Sequence, residues 1–415
     1  MKLQNFELKN VQRKSRISAD LLWEDCDRPA LNLFFETEEE YGTALADNIE
    51  PFLVGCLLPA LHYKEKRISV EGSICPDLKQ NLNIAMNLIR HWYYEPTHRL
   101  VTIEESNGSA LRRYPHTEST GFFFSGGIDC LATLHVNRSV YPQGHPAAIK
   151  YGLLIYGQNI ESDDRPETFH GAFDELDEIT RESNVRLIPI HTNIRMVDDS
   201  SYMFKINHGA ILGSVAHSLS NLLMRVYISA SDSIPTLRLI GQHNFKPHGS
   251  HPLLDPLYSS YNLSVKHDGI ELSRLDKTRL IAHWDTALRH IKVCGPNWPG
   301  VNCCRCEKCV RTMLELMAAG VLHKSAAFEK DDVTAEMVSN ITIKKPEFGY
   351  SVDDDYLELI EPLKQLGRQD LVRAILSMID RSHYPAKSLK QKIRRIDAKY
   401  LDHSLSRIKR KLMNP

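Results

Sequence analysis

Neither charge dominates this chain: 51 lysines and arginines stand against 52 aspartates and glutamates among 415 residues. That balance removes the global electrostatic case for nucleic-acid binding, so a partner has to be argued from a site. Long apolar runs are scarce too. The longest, PFLVGCLLPAL at 51–61, is too short and too proline-bounded to span a bilayer. Residues 1–18, MKLQNFELKNVQRKSRIS, are polar and basic and lack the apolar stretch of a leader peptide, which sets the expectation of a cytoplasmic protein without a membrane partner. No internal repeat or low-complexity linker stands out.

The length and the 42% hydrophobic content are enough for two or three packed cores. Nine cysteines are present, and five of them crowd between Cys294 and Cys309, a clustering that favours metal over disulfides when no leader is evident. Cys26, Cys56 and Cys75 lie far apart in sequence and read as buried thiols.

Three parts follow from the pattern. In residues 1–117, strand-like runs (LNLFFET, KRISVEGSI, HRLVTIEE) alternate with helix-like segments around Asn48 to His62 and Asp77 to Tyr94, which predicts an α+β accessory domain. Residues 118–324 alternate strand and helix: GFFFS, AIKYGLLIYG, VRLIPIH and MRVYISAS are separated by amphipathic segments. This is the pattern of an α/β fold, a parallel sheet with helices on both faces that gathers ligands at its strands' carboxyl ends. Residues 325–415 form a helical extension in which Pro362 predicts a break or kink. It ends in the basic KSLKQKIRRIDAKYLDHSLSRIKRKLMNP, which is a solvated helix face or a surface for RNA, an acidic partner or the chain's own acidic middle.

The stretch FFFSGGIDC at 122–130 puts two adjacent glycines between a predicted strand and a predicted helix. Free backbone N–H groups and the positive helix end suit a phosphate there, with Ser125, Gly126, Gly127, Ile128, Asp129 and Cys130 around it. A tight strand-to-helix turn accounts for the glycines equally well. No GK[ST] follows and no GxGxxG spacing is present, which sets aside two nucleotide-binding classes. Cys130 at the helix start is a weak hydrogen-bond donor whose thiol pKa a helix N-terminus would lower.

The segment CGPNWPGVNCCRCEKC supplies Cys294, then Cys303, Cys306 and Cys309 at CxxC steps. Four thiolates suit tetrahedral zinc and leave no open position for water, so a structural metal is expected, with an iron–sulfur cluster as the chemical rival. Cys304 is out of step and reads as a spare thiol, a swap with Cys303 being the alternative.

The SGGxD loop resembles the SGGxDS pyrophosphate loop of the ATP pyrophosphatases, with Cys130 where that family usually has serine. Taken with YGQ at 156–158, RLDKTRLI at 274–281 and the C-x8-C-x2-C-x2-C cluster, the chain resembles 7-cyano-7-deazaguanine synthase, a queuosine-pathway enzyme with the HUP-type nucleotide-hydrolase fold. The resemblance implies a ligase that uses ATP and Mg2+ to adenylate 7-carboxy-7-deazaguanine, then forms an amide and a nitrile, and holds Zn2+ on the four cysteines. It places Ser125, Gly126, Gly127 and Asp129 around the pyrophosphate, Gln158 near nucleotide or substrate, and Lys277 on a phosphate. Ser125 and Asp129 would carry the catalytic role. The resemblance covers residues 118–324 only. Long synthase-like chains of this kind resemble those of bacterial antiphage operons, which implies capture of the adenylate by an amine on a protein acceptor; a homodimer is a further expectation. The alternatives are ordinary nitrile synthesis with ammonia, adenylation of a tRNA base, and a nucleotide-binding scaffold without turnover. His243, His248, His251 and Asp255 lie in GQHNFKPHGSHPLLDP, a polar loop or a substrate-orienting segment, while His208 and His217 are read as structural.

Overall fold

The computed structural model describes residues 1–106, 118–157, 176–237, 246–295, 302–343 and 351–383. Its centre is a ten-stranded, mostly parallel sheet in the order β10-β9-β6-β7-β8-β3-β2-β1-β4-β5. The strands are β1 (Lys2–Val11), β2 (Lys14–Leu22), β3 (Leu31–Glu38), β4 (Arg67–Val70), β5 (Thr102–Glu105), β6 (Ser119–Phe123), β7 (Ile149–Tyr156), β8 (Arg186–Thr192), β9 (Leu223–Ser229) and β10 (Ser264–Asp268). Among the described residues, antiparallel pairing is confined to β1–β2, β2–β3 and β3–β8.

The helices used below are α1 (Glu50–His62), α2 (Pro76–Tyr93), α3 (Ile128–Val140), α4 (Ser201–Ser218), α5 (Arg274–Ile281), α6 (Asp285–His290), α7 (Glu307–Ala318), α8 (Ala335–Ser339), α9 (Val352–Leu357), α10 (Ile360–Gln365) and α11 (Gln369–His383). None of them is long and apolar enough to cross a membrane. The apolar run at 51–61 is instead the body of α1, buried along its whole length against α4 and the sheet. An all-round apolar helix is a core helix when it is this short.

Alternate residues of the central strands enter two different cores, as the period-2 pleat requires. Leu153, Ile188, Ile190, Val226 and Ile228 face the core shared with α1, α2 and α4. Leu154, Leu187 and Tyr227 face the other, which also holds Phe122, Phe124, α3, α7 and the C-terminal helices. Strands buried on both faces read as continuous apolar runs, which is why they were visible in sequence. The first 105 residues join this arrangement through β3 and β8, which pair at Phe35 with Thr192 and Glu36 with His191. Their apolar side chains belong to the same core as α4. The boundary expected at 117 lies outside the described residues.

The C-terminal region is helical as expected, but it does not break at Pro362. That residue sits in the first turn of α10, where a missing N–H costs nothing. The breaks fall at Glu358–Leu359 and at Gly367, whose φ of +72° ends α10 in the left-handed region. The basic tail from Lys387 lies outside the described residues.

Candidate nucleotide site and cysteine cluster

The chain runs outward from β6 to β7 to β8, then α4 carries it back to β9 on the other side of β6. Neighbouring strands β6 and β9 therefore send their following segments to opposite sides, which opens a crevice at their carboxyl ends. The glycine loop sits at that crevice. Gly126 has a φ of +77°, and a Cβ there would lie 2.8 Å from Leu176 Cδ2, so the position needs glycine on both counts. The Lys292 N–H donates to the Gly126 carbonyl at 2.9 Å and ties the loop to the extended segment that leads into Cys294. Gly127 is the N-cap of α3 and supplies no side-chain acceptor to the first turn. Ser125 is exposed, whereas Ile128 is turned fully into the core and offers the crevice only its backbone.

Cys130 is buried, with its thiol donating to the Gly127 carbonyl at 3.1 Å and lying 3.8 Å from Ser125 Oγ. The low pKa that a helix N-terminus allows is not what the structure gives. Burial pushes the thiol up, and it outweighs the N–H groups of Ser125 and Gly126 that favour the thiolate. In the native protein at neutral pH, Cys130 should therefore resist iodoacetamide for as long as the fold persists and react fully in denaturant. Mass-spectrometric mapping of alkylated peptides reads this, and rapid native labelling would contradict it.

Asp129 organises the polar side of the site. Arg274 Nη1 lies 2.8 Å from one carboxylate oxygen and Lys277 Nζ 3.3 Å from the other. Burial disfavours its charge, but the two cations more than offset this and hold its carboxyl below the usual range. Arg274 and Lys277 share a face of α5 at i, i+3, and a capping box of Ser273 and Asp276 starts that helix. Lys277 is 2% exposed and also donates to the Ala230 carbonyl after β9 at 2.5 Å, so it spans the crevice from β6's loop to β9's. Behind it, Arg274 Nε lies 3.3 Å from Glu315 Oε2, and Thr278 Oγ1 donates to the same oxygen at 3.3 Å. Burial raises Glu315 to about 7, against the pull of Arg274 and Arg311. Arg311 in turn pairs with Glu307 at 3.0 Å and with Asp355 of α9. On the β9 side, burial raises Asp232 to about 7. Asp268 accepts from Thr133 Oγ1 at 2.9 Å.

Ser125, Gly126, Gly127, Ile128, Asp129, Cys130 and Lys277 are thus brought to one crevice. Gln158 lies outside the described residues. The preceding strand β7 ends at Tyr156, and Gly157 follows with φ +96°, where a Cβ would collide with the Thr192 carbonyl oxygen. Sequence reasoning missed Arg274, Glu315 and Arg311. The available signal was a pair of opposite charges, four apart, on the buried side of the otherwise apolar helix VRTMLELMA.

The sulfurs of Cys294, Cys303, Cys306 and Cys309 all lie within 4.8 Å of one another. Cys303 and Cys309 are 3.7 Å apart, close to the about 3.8 Å that tetrahedral zinc–sulfur bonds of about 2.3 Å impose. The Cys306 N–H points at Cys303 Sγ at 3.3 Å. Burial opposes the Cys303 thiolate, but the N–H groups of Arg305 and Cys306 bring its pKa down to about 6. These four residues can hold a metal such as zinc, and all-sulfur ligation suits that soft-ligand class. Cys304 stands apart: its φ is +55°, and its buried thiol donates to the Asn302 carbonyl at 3.4 Å. Asn302, which sequence did not single out, fixes the cluster's two arms. Its Oδ1 accepts from the N–H groups of Val293 at 3.0 Å and Cys294 at 3.1 Å, and its Nδ2 donates to Ile291 and Ala327.

The polar loop expected at 248–255 is not a solvated one. Asp255 is fully buried and His251 is 2% exposed. Asp255 accepts from Ser250 Oγ at 2.7 Å and lies 2.8 Å from His267 Nδ1. His217 is buried and His208 half-buried; His217 Nε2 lies 2.8 Å from the Tyr258 carbonyl, which the structural reading fits. His243 lies outside the described residues. Comparisons of the chain with protein-family models, with curated proteins and with solved structures found no match in any of the three.

Proposed function

We propose that the chain is an ATP-dependent adenylating ligase acting on a 7-deazaguanine carboxylate, with a protein amine as the acceptor in the amide-forming step. The observation that carries this reading is the placement of SGGID at the switch between β6 and β9, where α3 begins without a side-chain cap. Exposed Ser125, the glycine backbone and the first turn of α3 would take the pyrophosphate of ATP. Lys277, held between Asp129 and the Ala230 carbonyl, has its ammonium at the same crevice. Asp129, kept ionised by its two cations, has the chemistry to attract Mg2+ once a nucleotide competes for Arg274 and Lys277. Mg2+ would supply charge neutralisation on the phosphates. Zinc on the four cysteines would be structural, since four sulfurs complete its coordination.

This reading leans on the resemblance to 7-cyano-7-deazaguanine synthase for its substrate, and on geometry for its nucleotide. Incubation with ATP, Mg2+ and 7-carboxy-7-deazaguanine should release AMP and pyrophosphate together. A mass increment on a partner protein then identifies conjugation, whereas a free nitrile identifies ordinary synthesis. No release with substrate and candidate acceptors present would sink the proposal.

A further inference from the structure

Beneath the carboxyl end of β10 lies a group of titratable side chains that the nucleotide site does not use. His267, the penultimate residue of β10, pairs in register with Ile228 of β9. Its Nδ1 faces Asp255 Oδ2 at 2.8 Å, and Asp255 is itself held by Ser250 Oγ at 2.7 Å and the His251 N–H at 3.3 Å. A carboxylate only accepts, so Nδ1 carries the proton and Nε2 of the neutral ring keeps its lone pair. That Nε2 is buried with no hydrogen-bond partner among the described residues, in a side chain 5% exposed.

His251 has the opposite tautomer. The Leu253 N–H donates to its Nδ1 at 3.1 Å, so Nε2 carries the proton, and this N–H is also buried without an acceptor among the described residues. Burial lowers His251 to about 4. The two rings therefore present one unpaired acceptor and one unpaired donor among the described residues. Buried polar atoms are rarely left so, and an amine N–H would satisfy the acceptor on His267.

His267 is linked to the glycine loop through Lys277, Ala230 and Asp268. Lys277 Nζ holds Asp129 and the Ala230 carbonyl, and the Ala230 N–H donates to the carbonyl of Asp268, next to His267, at 2.8 Å. Among the described residues, Asp232, His248, His251 and Asp268 are the other titratable groups close enough to His267 to sense its protonation.

Building on the ligase reading above, we propose that His267, oriented by Asp255, is the catalytic base of the amide-forming step and takes the proton of the acceptor amine at Nε2. The amine nitrogen attacks the carboxyl carbon of the acyl adenylate. The carbon–nitrogen bond forms, the carbon–oxygen bond to AMP breaks with its electron pair leaving on the phosphate oxygen, and the amine proton passes to Nε2. Asp255 is a positioning residue that fixes the tautomer and stabilises the imidazolium.

The test uses the full, metal-loaded chain with ATP, 7-carboxy-7-deazaguanine and either ammonium or hydroxylamine. ATP–pyrophosphate isotope exchange reads adenylation, and product mass reads acyl transfer. His267→Gln and Asp255→Asn should each lower amide formation from ammonium about 100-fold or more, with exchange affected far less. Hydroxylamine, a good nucleophile that is a much weaker base, should restore most of the product. Equal losses of exchange and amide, an unchanged amide rate, or no rescue by hydroxylamine would overturn the assignment. Absence of exchange in the unaltered protein would overturn the ligase reading, and this assignment with it.

Discussion

Cys309→Ala should leave a chain that no longer folds its second core. Cys309 is fully buried, opens the first turn of α7 and is one of four sulfurs converging within 4.8 Å. Apparent binding energies of structural zinc are on the order of 10 kcal/mol, comparable to the whole stability of an ordinary domain. Three remaining thiols do not close a tetrahedron, and the loss falls on the helix that carries Arg311 and Glu315. The effect should therefore reach beyond the metal. α7 packs with Phe122, Phe124 and the C-terminal helices in one core, so the glycine loop loses its support. Metal analysis of the purified protein should give one zinc per chain for the native sequence. Circular dichroism and urea denaturation of Cys309→Ala should show lost helix and no cooperative transition for that half. Cys304→Ala is the control: it keeps all four sulfurs, and its cost should be that of one small buried side chain. A brown, iron-bearing native protein, or an intact cooperative transition in Cys309→Ala, would contradict this account.

The second large effect is expected at Asp129. Asp129→Asn keeps the shape but removes the charge that balances Arg274 and Lys277. Lys277 is 2% exposed, so its ammonium would keep the Ala230 carbonyl but lose the carboxylate it pairs with at 3.3 Å. Removing one member of a buried pair costs about 3–5 kcal/mol, and Asp129 keeps 21% of its side chain exposed, which places the cost at about 3 kcal/mol. Urea midpoints at pH 7 measure it. The pH dependence carries a sign. A carboxyl whose folded pKa is depressed contributes stability above its unfolded pKa and loses it as pH falls through the folded value. The deficit of Asp129→Asn against the native chain should therefore be full at pH 7 and shrink below pH about 4, where the unfolded carboxyl also takes up protons. Adenylation should fall in parallel. A variant of native stability at pH 7 would show that the cations find other partners.

The central strands were legible because burial on both faces leaves them apolar throughout, and the cysteine cluster was legible because ligand spacing is local. The hairpin β1–β2 was not: β1 buries few of its residues, and Lys, Glu and Asn along KLQNFELKNV mask the alternation. β10, SVKHD, is short and polar for the same reason. Within the site, the loop could be found from Gly126 and Gly127, but Arg274 and Glu315 could not be assigned to it. Their meeting depends on α5 and α7 packing side by side, a contact between segments 41 residues apart that no local spacing encodes. His267 was hidden likewise, since its partner Asp255 belongs to a turn and its role depends on which tautomer the backbone enforces.

The pairing of β3 with β8 sets an order of events during synthesis. Phe35 and Glu36 wait for Thr192 and His191, so the edge of β3 and the apolar length of α1 emerge long before the strand and helix that cover them. With roughly 150 residues between the partners and about 5–20 residues added per second, the first half of the sheet spends on the order of ten seconds as an open edge. The ribosome-bound chain is then most exposed to wrong pairing. Long-range strand pairing of this kind makes the last-formed contact, rather than the first-made segment, the step that commits the chain to its fold.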